Sequence, residues 1–236
     1  MIIRPDGDSL LFITQPDHAR LAAILIAEWQ DDGLPAHPRR ESILLATREH
    51  DNGWREEDTE THVDASGRPL DFIEVAAAVK QRIWPRAVSR LASDHPYEAA
   101  LVAQHAVTVN GDHRVNPDWS SFFETLDAQR AALLMRSGPA AAATIDADYA
   151  FVNIADRLSL IFCNGWRDPF EHRGRRLVLT ETMLRITPDP FDGAHVPLRA
   201  LARRLPVHVY ASNADLRAAL DEAPIEMLEG EALGDR

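Results

Sequence analysis

The chain has 236 residues, 45% of them hydrophobic, which is enough to bury a sizeable core as one large domain or two small ones. A net charge of −12 and a pI of about 5.2 argue against a nucleic-acid groove or an anionic membrane surface as the main partner. The single cysteine, Cys163, excludes an internal disulfide, and the absence of a signal-like leader or a bilayer-length apolar run reads as a soluble, cytoplasmic protein.

In chain order, Ile2-Ile3-Arg4 and Leu10 to Ile13 flank Asp6-Gly7-Asp8 and predict a β-hairpin. Thr14 then caps a helix that has Pro16 and Asp17 in its first turn. His18, Leu21, Ala22, Leu25 and Trp29 form one stripe on it. Asp31-Asp32-Gly33 ends that helix, and Leu34 to Arg40 is a loop. The stretch Ile43 to Trp54 reads as one helix that puts His50 and Asp51 on an otherwise apolar face, with Gly53 near its end. The polar segment Glu56 to Arg68 reads as a loop long enough to serve as a lid.

Phe72 to Ile83 predicts a helix that Trp84-Pro85 kinks or ends. Asp94-His95-Pro96 and Asn116-Pro117-Asp118 open two more, the first carrying His105. Ile145 to Phe162 is the last long helix of this region, with Asp156 among apolar neighbours and Asn164-Gly165 as its stop. After Arg175 the pattern changes: Leu177 to Thr180 and Leu205 to Tyr210 read as strands, Asp215 to Ala223 as a short helix, and the tail past Glu229 as frayed. The fold class predicted is mainly α, a single domain over 1–236. Its helical bundle spans 16–165, with a small β layer from the N-terminal hairpin and the segment 175–236.

Histidine and carboxylate side chains therefore recur on the inward faces of four helices: His18, His50-Asp51, His105 and Asp156. A buried carboxylate needs a partner, and imidazole nitrogen with carboxylate oxygen is a donor set for a divalent transition metal. Mn²⁺, Fe²⁺, Zn²⁺ and Ni²⁺ suit such a set better than Mg²⁺ does, and one or two ions are compatible with it.

The ordered residues H…HD…D resemble the HD-domain superfamily of metal-dependent phosphohydrolases, with Ile154-Ala155-Asp156-Arg157-Leu158 similar to that superfamily's last metal-binding helix. Over more of its length the chain resembles the uncharacterised bacterial DUF3891 family, through Ile13 to His18, Glu49 to Trp54 and Ala103-Gln104-His105. The superfamily resemblance implies an HD-like helical bundle. It also implies His18, His50, Asp51, His105 and Asp156 as metal ligands, and hydrolysis of a small phosphorylated substrate. The gap between Asp51 and Asp156 implies inserted helices. His95-Pro96 is an alternative to His105, but ten residues at about 1.5 Å each put the two about 15 Å apart on a helix.

Asp51, with Glu49 beside His50 as a candidate base, is the candidate catalytic pair. Arg48, Lys80 and Arg82 are candidate phosphate-holding groups. Two other functions fit the same residues: a di-iron oxygenase, which needs further histidines between Asp51 and Asp156, and a non-catalytic metal-binding or interaction protein. The oligomeric state stays open, a homo-oligomer included.

Overall fold

A computed structural model describes residues 1–235. Strands Ile2–Asp6 (β1) and Ser9–Ile13 (β2) pair antiparallel, with Ile2 opposite Ile13, as the hairpin pattern requires. Helix α1 (Gln15–Ala27) follows at once; the Thr14 hydroxyl accepts from the Asp17 N–H at 3.1 Å and satisfies an otherwise orphaned donor. α2 (Arg40–Glu49), α3 (Glu57–Glu60), α4 (Ala77–Leu91), α5 (Pro96–Val109), α6 (Ser120–Ser137) and α7 (Pro139–Asn164) complete the helical layer. Gly165, at φ +69°, ends α7 in the left-handed conformation that a side chain would resist.

The rest of the chain is mostly sheet: β3 (Phe170–His172), β4 (Arg175–Thr180), β5 (Met183–Thr187), β6 (His195–Pro206), helix α8 (Asn213–Glu222) and β7 (Ile225–Gly234). Seven strands form one sheet in the order β1-β2-β6-β7-β5-β4-β3, antiparallel except where β5 meets β7. It curls into a half-barrel. Alternation drives β6: Val196, Leu198, Ala200 and Ala202 are buried, while His195, Pro197, Arg199 and Leu201 face out. One continuous core joins the concave sheet face to the helices, from Leu179, Ile186 and Leu198 to Leu25, Leu101 and Leu158.

This architecture overturns the expected mainly helical bundle with a small peripheral β layer. The sheet is a full second layer, built by β6 and β7 as much as by the hairpin. The tail beyond Glu229 is paired strand as far as Gly234 rather than frayed, and the strand expected to Tyr210 ends at Pro206. The segment 56–68 is not a free lid. Buried Glu57 accepts two bonds from Arg82, buried Asp58 accepts from the Gln15 N–H at 2.7 Å, and the Thr61 hydroxyl donates to the Asn213 carbonyl at 2.7 Å. Pro85 lies inside α4, which runs on to Leu91. Among the described residues, no helix is long and apolar enough to cross a membrane.

Candidate metal centre

The expected single helix over 43–54 is in fact two pieces. α2 stops at Glu49, His50 and Asp51 form the corner, and Asn52–Trp54 is a 3₁₀ turn. The corner is fixed from outside, since Arg90 donates to the Asn52 carbonyl and Arg86 to the Gly53 carbonyl. Gly53 is not a left-handed helix stop. A Cβ there would run into the Ile83 carbonyl oxygen and the Ala87 side chain, so Gly53 lets the corner lie against α4.

The first turn of α1, this corner, the middle of α5 and the middle of α7 bring His18, His50, Asp51, His105 and Asp156 together, all buried. His18 Nε2 lies 3.1 Å from Asp51 Oδ2, 3.4 Å from Asp156 Oδ1 and 3.2 Å from His50 Nε2. His50 Nε2 lies 3.5 Å from Asp51 Oδ2 and 3.4 Å from Asp156 Oδ1. Metal bonds of about 2.0–2.2 Å give ligand-to-ligand edges of about 2.8–3.6 Å in tetrahedral or octahedral sites, so each of these five separations suits two ligands of a shared ion, and His18, His50 and Asp51 form one triad able to hold it.

The ring protons are assigned by their partners. His50 Nδ1 is 2.6 Å from the Thr47 carbonyl, which can only accept, so Nδ1 carries a proton. Ser159 uses its one hydroxyl proton on the Asp156 carbonyl at 2.9 Å and accepts from His18 Nδ1 at 2.7 Å. In the neutral rings both Nε2 atoms then present lone pairs to each other and to two carboxylate oxygens. Only a cation or a proton relieves that repulsion. Outer hydrogen bonds of this kind fix the tautomer of a metal-ligating histidine.

Burial alone pushes His50 down, yet Asp51 and Asp156 outweigh it and hold the imidazole at about 9 without metal. Burial opposes the charge on both carboxylates, but the neighbouring histidines pull Asp51 and Asp156 below the usual carboxylate range. His105 is pushed down to about 4 by burial, so it is a neutral ring. It forms a second triad with His50 and Asp156, ligand atoms within 4.8 Å, and its Nδ1 lies 3.3 Å from the Tyr149 hydroxyl.

A cleft of about 240 Å³ opens onto Asp51, His105 and Asp156. Lys80 lines it; Arg48 and Arg82 do not, Arg82 being tied to Glu57. Glu49 lies in a separate surface recess with Arg48 and is bonded to Arg55 at 2.8 Å. His95 is exposed at the start of α5. Sequence reading missed Gln15, Thr47, Ser159, Tyr149 and Arg157. Ser159 and Tyr149 share the Asp156 face of α7, and that spacing was the available signal. Gln15 lines the cleft fully buried, and its Oε1 has no hydrogen-bond partner. An orphaned amide beside four opposed lone pairs fits a site made for a metal and its ligands. A larger cavity of about 380 Å³, between α1, α3 and α8, holds none of the five residues.

The molecule is thus a helical layer on a curled mixed sheet with a buried His/Asp cluster able to hold a metal ion. Residues 1–207 match the family described as "Protein of unknown function (DUF3891)", and the chain belongs to that family. No curated protein and no solved structure matches it. The match spans the helical layer and β1 to β6, which includes the whole His/Asp cluster.

Proposed function

We propose that the protein is a metal-dependent hydrolase of a phosphate ester or anhydride. The observation that carries this is the facing pair of His18 and His50 Nε2 atoms, with their Nδ1 protons held elsewhere and two carboxylates completing the set. The same residues in the same order support the resemblance to HD-domain phosphohydrolases at the level of the site.

His18, His50, Asp51 and Asp156 would hold the ion, with His105 as a further ligand on the cleft side. A divalent transition metal in that set supplies Lewis acidity, polarising a phosphoryl oxygen and acidifying water. The chain's own part is binding and orientation. Ser159 and the Thr47 carbonyl keep two imidazoles in register, and the buried walls exclude bulk water. Lys80 and Arg157, on the cleft, offset the charge of a phosphoryl group. The oxygenase alternative needs two more histidines, and exposed His95 leaves only His105.

The test is turnover of a panel of phosphomonoesters, phosphodiesters and phosphoanhydrides by protein loaded with Mn²⁺, Fe²⁺, Zn²⁺ or Ni²⁺, against chelated protein. Cleavage that needs metal and disappears in Asp156→Ala is expected, read as released phosphate for monoesters and anhydrides and as released alcohol for diesters. A protein that holds metal and cleaves none of them overturns the reading.

A further inference from the structure

We propose that the cleft over the metal centre selects phosphate monoesters whose organic body is a single flat aromatic ring. This deepens the hydrolase reading and rests on it. Trp54 and Trp84 are 3% and 5% exposed, and half-buried Phe72 and Trp166 complete an aromatic lining. The rings are in register: Trp54 meets Phe72 edge-on at 6.5 Å, and Trp84 meets His105 at 5.3 Å. The aromatic wall therefore runs from the lip to the edge of the metal centre. At the lip, Ile73 and Val109 are left 55% and 46% exposed, which a polar ligand would not use.

The cleft offers charge at few points. Lys80 Nζ is bonded only to the Ile73 carbonyl at 2.7 Å, and Arg157, whose guanidinium lies 4.7 Å over the Phe170 ring, has a buried Nε with no hydrogen-bond partner. Among the described residues neither cation has a carboxylate partner within 4.0 Å. Together with the metal they match one phosphoryl dianion. A sugar would find few fixed polar groups, since the Asn110 amide already donates to the Ala106 carbonyl at 2.8 Å and the buried Gln15 Oε1 is a single free acceptor. At about 240 Å³ the cleft is smaller than the roughly 300–1,000 Å³ usual for drug-sized ligands, so it holds one ring and a phosphoryl group rather than a nucleotide.

The step is plain hydrolysis. Water oxygen bonds to phosphorus, the bond from phosphorus to the ester oxygen breaks with its electron pair on that oxygen, and the water's proton ends on the departing alcohol or phenol. The products are inorganic phosphate and the aromatic alcohol or phenol, with no change of oxidation state.

Stable phosphonates separate recognition from leaving-group chemistry. Binding of benzylphosphonate, propylphosphonate and adenosine monophosphate to the metal-loaded protein is read by tryptophan fluorescence and calorimetry. Benzylphosphonate is expected to bind about ten-fold tighter than propylphosphonate, the scale of one good aromatic contact. Trp166→Ala should remove most of that difference by weakening benzylphosphonate far more than propylphosphonate, whereas Arg157→Gln should weaken both alike. Phe72→Ala replaces Trp166→Ala if the latter fails to fold. Equal affinity for the two phosphonates, or tighter binding of adenosine monophosphate, overturns the inference. Phosphoester cleavage without aromatic preference sinks this inference and leaves the hydrolase reading standing. Selective benzylphosphonate binding without any cleavage sinks the hydrolase reading and keeps the aromatic selectivity of the cleft.

Discussion

His18 and His50 meet Nε2 to Nε2 at 3.2 Å, while Ser159 and the Thr47 carbonyl hold the opposite nitrogens. Two neutral rings do not settle in this way against two carboxylates unless something positive lies among them. The arrangement ties α1, the corner after α2 and α7 to one point, and it makes the second nitrogen of each ring as informative as the first.

Ser159→Ala should therefore weaken metal binding with little effect on the fold. The hydroxyl fixes the His18 tautomer, and loss of such outer partners costs about 10–100-fold in metal affinity. Competition titration with a chromogenic chelator measures it; an unchanged affinity would show that the hydroxyl does not orient His18.

Metal-free protein should lose stability as pH rises from about 6.5 to about 9. His50 is raised in the fold from 6.5 to about 9, so its proton stabilises the native state fully below 6.5 and is lost as pH climbs through the folded value. The effect is on the order of 3 kcal/mol for a fully buried group. His105 works in the opposite window: lowered to about 4, it disfavours the fold as pH falls from 6.5 toward that value. Thermal melts of chelated protein should then peak near pH 6.5, and bound metal should abolish the alkaline loss. Melting temperatures of chelated protein that rise from pH 7 to 9 would contradict this.

Gly53→Ala should cost about 1–3 kcal/mol, the usual penalty for overpacking, because the added carbon meets the Ile83 carbonyl. It should also lower metal affinity, since Asp51 sits two residues earlier on the same corner. Unchanged melting and unchanged metal titration in this variant would mean that α4 does not fix the corner.

Asp148→Ala should destabilise the protein by on the order of 3 kcal/mol without changing metal content. Buried Asp148 accepts from Arg39 Nε at 2.8 Å and the Tyr97 hydroxyl at 2.5 Å, tying the start of α2 and α5 to α7 away from the cluster. Loss of metal on this substitution would show that the two networks are one.

The cluster residues were legible because ligand-type side chains on apolar helical faces conflict with burial, and His18, His50, Asp51, His105 and Asp156 all carried that conflict. The corner at His50-Asp51 was not legible. Helical periodicity continues through Trp54, and the close approach of Gly53 to α4 is a tertiary fact. The sheet was under-read for a related reason. Ala200, Leu201 and Ala202 in β6 favour helix locally, and the alternation from Val196 to Ala202 emerges only with β2 and β7 on either side. In β7 the charged residues Glu226, Glu229 and Glu231 hide a strand that pairs along nearly its whole length. Glu49 and Arg82 had the right chemistry, but Arg55 and Glu57 engage them away from the cleft.

Metal content of wild type and Asp51→Ala, both dialysed against Mn²⁺, Fe²⁺, Zn²⁺ or Ni²⁺ and read by elemental analysis beside circular dichroism, tests the central claim most directly. One or two equivalents in wild type and a sharp loss in the variant, with the helical signal intact, is the predicted result. A wild-type chain that retains no divalent ion, or a variant that retains as much as wild type, would contradict it.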